Sequence, residues 1–312
     1  MSQLDSSYNA SQVAQLRQRT PYMTSLDVIV LPRMRNENDI YSNVSKHLIE
    51  DWLDDVQKST KECAQSGNNI NLTSQYKAIQ ISAVDTTFKL ADQLGVTSNI
   101  KYIALLLFDE FMYKYMEVFM DGVINNWEER LDAFSSKIKL YLLTCFQLAS
   151  KMDLSYIRIE ISEILEYLQI MDKETVYTRD MIVSSESEVF KMVGFKMPHD
   201  TPLSCVEVLL AATHRSEKDY EVAQLLLDVA FLQREELYTL FQRKTSGRVK
   251  FKKPVFLKSN MFFLSAAVVA CTTLFHKKPE SEFVVNILVE KSSSSKSDIM
   301  TMANILYDIA TR

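Results

Sequence analysis

Apolar residues along this chain recur mostly at three- and four-residue intervals, the repeat of a helix with one buried face. The segment 43–64 places Val44, Leu48, Ile49, Trp52, Leu53 and Val56 on one side with charges opposite, and Asn43 or Ser45 stands where a cap is needed. After the turn-rich QSGNNINLTS, helices are predicted over 75–94, closed by Gly95, and over about 97–119, with WEERL (127–131) inside a longer connection. KIKLYLLTCFQLASKM (137–152) departs from the two-sided pattern. Ile138, Leu140, Tyr141, Leu142, Leu143, Cys145, Phe146, Leu148 and Ala149 leave it little polar surface, so burial on most sides is expected. Two amphipathic helices follow, 156–169 and 177–193, able to wrap it with Ile161, Ile164, Leu165 and Leu168 and with Met181, Ile182, Val189, Phe190 and Val193.

Past Thr201-Pro202 the pattern restarts: SCVEVLLAAT, DYEVAQLLLDVAFLQREELYTLFQ, a wholly apolar helix over 260–275, EFVVNILVE and DIMTMANILYDIA. These read as five helices with an apolar third one, about 120 residues after its counterpart, and suggest a duplicated fold. The expected class is all-α, two five-helix units with an additional N-terminal helix. The expected divisions are a polar, partly disordered segment 1–40, a helix and linker 41–74, a first unit 75–198 and a second 199–312.

Five glycines and six prolines in 312 residues argue against an all-β chain, and 47% hydrophobic residues suffice for two cores. Cys63, Cys145, Cys205 and Cys271 are too scattered for a disulfide framework or a zinc site. MSQLDSSYNASQ carries no signal-peptide core, so a reducing compartment is expected and the sequons at Asn9, Asn43 and Asn71 are expected to stay bare. MFFLSAAVVACTTLF (261–275) is shorter than the roughly 20 residues needed to cross a bilayer. A net charge of −5 gives no general attraction to nucleic acid. His47, His199, His214 and His276 lie in different elements, and neither a phosphate-binding glycine loop nor a nucleophile elbow occurs. No catalytic residue, metal or cofactor is assigned, and the chain reads as a non-enzyme.

LTCFQLASKM, a following glutamate, VYTRDMIVSSESEVFKMVGFKM and a Thr-Pro resemble the second half of a cyclin box, and KYIALLLFDEFMYKY resembles the cyclin helix that sets an Asp, here Asp109, before Phe111. A narrower likeness, to a meiotic branch of the cyclins, runs from about 26 to 212 through LDVIVLPRM, SNVSKHLIEDWLDDVQ and FKMPHDTPLSCVEVLLAA. The resemblance implies tandem cyclin boxes, a cyclin-dependent kinase as partner, meiotic crossover proteins as further partners, and a place in the nucleus on meiotic chromosomes. It further implies that Lys137 and Glu160, with Glu163 as rival, grip the kinase helix. Such a lysine and carboxylate can satisfy a partner's helix-end carbonyls and amides.

Asp109 interrupts an apolar run, and a buried carboxylate needs a partner. Cyclins supply an arginine at the opening of the first helix; Gln80 stands there in this chain, so Lys77, one turn earlier, is the expected structural ion-pair partner. The positions where cyclins carry a substrate-docking Met, Leu and Trp hold Ile79, Ala83 and Thr86, which argues against ordinary substrate recruitment. Arg243, Lys244, Arg248, Lys250, Lys252 and Lys253 form an acid-free basic run, a solvated loop or a patch for phosphates or an acidic partner. Two other readings stay open: a cyclin-fold scaffold without kinase activation, and a transcription-factor-like adaptor contacting nucleic acid through 243–258.

Overall fold

The structure, a computed structural model, describes residues 44–66, 79–121, 127–153, 155, 157–198, 200–245, 260–276 and 282–312. Among these it is all-α: α1 (Lys46–Ser66), α2 (Ile81–Leu94), α3 (Ser98–Asp121), α4 (Trp127–Met152), α5 (Ile161–Met171), α6 (Arg179–Met192), α7 (Pro202–Ala212), α8 (Glu217–Leu232), α9 (Arg234–Thr245), α10 (Met261–Phe275), α11 (Glu282–Ser292) and α12 (Lys296–Ala310).

The two helices that lack a polar side are the two around which the others pack. Every residue from Leu140 to Ser150 of α4 is buried, and so is every residue from Met261 to Thr273 of α10. α3, α5 and α6 surround α4, while α7, α8, α11 and α12 surround α10. Polar groups inside these helices are satisfied locally. Thr144 donates to the Leu140 carbonyl and shares a 2.7 Å bond with Ser185 of α6, and Thr272 and Thr273 donate to Val269 and Ala270. The order of elements, with an apolar central helix in each half, fits tandem cyclin-box folds.

The halves meet reciprocally: α2 packs on α8, and α3 on α7. Phe88, Tyr102 and Phe231 form a ring cluster there, with centroids 5.2–6.4 Å apart. Lys101 of α3 reaches both carboxylate oxygens of Asp228 at 2.7 Å, and Tyr102 donates to the same carboxylate at 2.6 Å. Arg234, at the start of α9, donates to the Ile79 carbonyl at 2.9 Å. Thr201 caps α7, with Pro202 at its first position and Ser204 returning the capping bond. Although α1 precedes the first half, it lies on the second, against α7, α10 and α11. Ile49, Leu53 and Val56 are buried, and Gln57 donates to the Lys291 carbonyl.

Several boundaries differ from the expected ones. WEERL belongs to a 26-residue α4, not to a connection: Trp127, Leu131, Phe134 and Ile138 keep helical spacing through the polar SSK, and Phe134 stacks on Tyr115 of α3 at 4.2 Å. α2 begins at Ile81 because Gln80 is extended and the Ile79 N–H is taken by Asp109; residues 75–78 lie outside the described residues. α5 starts at Ile161, since the chain after α4 is drawn back by Arg158, whose guanidinium donates to the carbonyls of Ser150, Asp153 and Ser155. The long second helix of the second half is two helices, α8 and α9, divided at Gln233, with Glu235 and Glu236 favouring a new N-terminus. Val44, just before α1, and Leu48 within it face solvent rather than the core.

Candidate functional site

The last turn of α4 and the whole of α6 carry an exposed face that the core does not require. Lys151 follows eleven buried positions and, at 47% side-chain exposure, donates across to Glu186 of α6. This pair joins two neighbouring helices at the surface, the arrangement that can meet a partner's backbone end groups. Met152, beside it, is exposed, and so is Ile157 on the segment that Arg158 gathers. Phe190 lies one turn beyond Glu186 on the same side of α6 and is half-buried.

The end of α6 displays one more ring. Gly194 and Phe195 both take left-handed backbone angles, with φ of 68° and 59°, and return their N–H groups to the Lys191 and Phe190 carbonyls. Glycine adopts that conformation freely, whereas a bulky aromatic does so at a cost on the order of 1–3 kcal/mol. Phe195 is 64% exposed and sets its edge against Phe190 at 5.4 Å. A strained aromatic held out in water is a poor solution for stability and a good one for contact.

The expected site residues fall in different places. Lys137 is exposed on the first half of α4, fourteen residues or about 21 Å along the helix from Lys151, and lines a groove shared with α6. Glu160 is the exposed N-cap of α5. The Glu163 carboxylate accepts the Glu160 N–H at 2.8 Å, which ties it to starting its own helix. Among the described residues, the lysine–carboxylate pair bridging α4 and α6 is Lys151–Glu186, and no ion pair or hydrogen bond joins Lys137 to Glu160. The signal for Lys151 was present in ASKM, where a single cation ends a buried run; that for Glu186 was weaker, since it is one of two acids, with Glu188, between Ser185 and Val189, both of which face the core.

Asp109 is buried and accepts the Ile79 N–H at 3.0 Å. Its expected partner Lys77 lies outside the described residues, so that pair does too. Ile79 is buried, while Ala83 and Thr86 are half-buried. Arg243 and Lys244 end α9 in solvent, with Lys244 at 3.9 Å from Asp308; Arg248, Lys250, Lys252 and Lys253 lie outside the described residues. Cys145, Cys205 and Cys271 are buried, and burial raises all three thiols, that of Cys271 to about 12, so they are held protonated. Among the described residues, no group of three His, Cys, Asp or Glu is placed to hold a metal, and no helix is long and apolar enough to cross a membrane.

Two known proteins are similar to this chain over about three quarters of its length. Cyclin N-terminal domain-containing protein 1 of Mus musculus is 24% identical over 263 residues, 77% of this chain and 77% of the relative. Its counterpart of the same name in Homo sapiens is 23% identical over 250 residues, 73% of this chain and 74% of the relative. No family model matches, and no solved structure does. The likeness to cyclins read from the motifs at 137–197 is borne out by these relatives.

Proposed function

From this cyclin likeness we propose that the chain is a regulatory subunit that docks on a cyclin-dependent kinase, with its first box (75–198) as the docking unit and its second (199–312) as a brace. In this reading it acts in the nucleus, on meiotic chromosomes, in the designation and maturation of crossovers, together with crossover proteins. The meiotic part rests on resemblance alone. What carries the kinase part is the pairing of Lys151 with Glu186, together with the strained, exposed Phe195 at the end of α6. The lysine and carboxylate satisfy helix-end carbonyls and amides of the kinase helix, and Phe195, Phe190 and Met152 give that helix an apolar seat. Activation follows from the helix being held inward, so the chain regulates rather than catalyses.

The experiment is capture of cyclin-dependent kinases from germ-line extract by the full chain and by the variants Lys151→Glu, Glu186→Lys, the double charge swap, Lys137→Glu and Glu160→Lys. Kinase capture lost in the Lys151 and Glu186 variants alone supports the reading. Loss confined to Lys137→Glu and Glu160→Lys moves the docking pair to those residues. Capture of crossover factors with no kinase in any sample overturns kinase docking and leaves a scaffold with a cyclin-like fold.

A further inference from the structure

Between the first half of α4 and α6 runs a groove of about 280 Å³ that the kinase reading does not use. Leu140, Tyr141 and Met181 give it an apolar floor, and Lys137 stands on the α4 wall. The α6 wall carries Asp180, Ser184 and Glu188 in succession. Four-residue spacing puts these three oxygen-bearing side chains on one side of the helix about 6 Å apart, so the two carboxylates are separated by about 12 Å. Neither Asp180 nor Glu188 is in an ion pair among the described residues. Glu188 faces the Tyr141 hydroxyl, and burial first and this carboxylate second push that phenol's pKa up, so it stays protonated beside the acid.

We infer that this groove docks an extended basic segment of a partner protein, with long cationic side chains laid on the floor and their heads at Asp180 and Glu188. The volume lies at the foot of the range of about 300–1,000 Å³ typical of small-molecule pockets, which suits side chains better than a cofactor. Lysine and arginine match the lining, because an apolar stem meets Leu140 and Met181 while the charge stays at the acidic rim. Residues four apart in an extended chain are about 13 Å apart on the same face, close to the carboxylate spacing. Lys137 then faces the partner's backbone carbonyls between the two cations. An anionic ligand is disfavoured, since Ser184 is flanked by acids one turn on either side and Lys137 is the single cation of the lining.

The test uses the full chain labelled with carbon-13 at its methionine methyls and a capped pentapeptide with arginine at both ends and valine, threonine, valine between. The expected result is a saturable shift of the Met181 signal that weakens with salt, is absent with the citrulline version of the peptide, and is weaker by about tenfold or more in Asp180→Asn and Glu188→Gln. Ser184→Lys places a cation on the exposed rim without disturbing the core and is expected to abolish the response. No saturable shift of Met181 in wild type, an equal response to the citrulline peptide, or unchanged binding in a folded Ser184→Lys variant overturns the inference. The kinase reading is tested separately, by kinase capture, and its lysine lies about 21 Å along α4 from Lys137, so failure of the peptide test leaves that reading standing.

Discussion

Lys101 and Asp228 are 2.7 Å apart across the junction of the two halves, with side-chain exposures of 9% and 28%. The ammonium also sits 4.5 Å from the centre of the Phe88 ring, and Tyr102 donates to the same carboxylate, so one acid collects an ion pair and a hydroxyl where α3 meets α8. Lys101→Met is therefore expected to cost about 2–3 kcal/mol, because it leaves Asp228 with only the tyrosine, and partial exposure keeps the loss below the 3–5 kcal/mol of a fully buried pair. Urea denaturation of Lys101→Met, Asp228→Asn and the double variant is the measurement, and additive losses would remove the pair as a link between the halves.

Phe195→Gly separates contact from stability. Relief of left-handed backbone worth about 1–2 kcal/mol is set against a lost aromatic contact of about 0.5–1.5 kcal/mol, so the variant is expected to stay within about 1 kcal/mol of wild type. Kinase capture is expected to fall sharply. A large loss of stability in thermal melts would give Phe195 a core role and withdraw it from the docking face.

Acid titration should expose Asp153, which is 8% exposed at the end of α4. Burial alone raises its carboxyl, but hydrogen bonds from Ser155, Asn99 and Thr97 outweigh that and lower it below 3.8. A lowered folded value means stability that is in place above the ordinary aspartate value and is lost as pH falls through the folded one. The advantage of wild type over Asp153→Asn is thus expected to be full at neutral pH and to shrink only below about pH 4. Melting both proteins from pH 7 to pH 3 checks it, and a constant gap would deny the carboxylate its role.

Glu160 and Glu163 cap the start of α5 reciprocally. Glu163→Ala removes the carboxylate that accepts the Glu160 N–H and is expected to cost about 1 kcal/mol. Glu160→Ala removes the other half of the capping box, the acceptor of the Glu163 N–H, and is expected to cost a similar amount in thermal melts of both variants; a silent Glu160→Ala would contradict the reciprocal cap.

In the second half, Phe263 is fully buried in α10 and meets Phe241 of α9 edge-on at 5.4 Å. Phe263→Ala is expected to cost about 3–5 kcal/mol, seen as an early chemical-denaturation midpoint. A loss under about 1 kcal/mol would mean that α10 is not the central support of that half.

The central helices were legible because an almost unbroken apolar run has only one stable environment in water, and both α4 and α10 occupy it. Boundaries set by tertiary bonds were not. Nothing in IQIS announces that the Ile79 N–H will go to Asp109, thirty residues ahead, nor does SYIRI announce that Arg158 will turn back to the carbonyls of its own neighbourhood. The candidate face was legible in part. ASKM and the acids of α6 were visible as letters, but which lysine meets which carboxylate depends on how steeply α6 crosses α4. Phe195 carried no signal beyond the glycine before it, since a left-handed phenylalanine violates the preference from which such turns are read.

The seat of α1 has a consequence for the order of assembly. Gln57 bonds to Lys291, 234 residues later, and the surfaces of α7, α10 and α11 that receive α1 belong to the second half. At ribosomal rates of about 5–20 residues per second, the helix waits roughly 12–47 s for the rest of its seat to be made. Through that interval Ile49, Leu53 and Val56 have no home, and the first half matures without the helix that precedes it. Closure of the newborn chain is thus a late, long-range event, and its stickiest moment comes before the last two helices leave the ribosome.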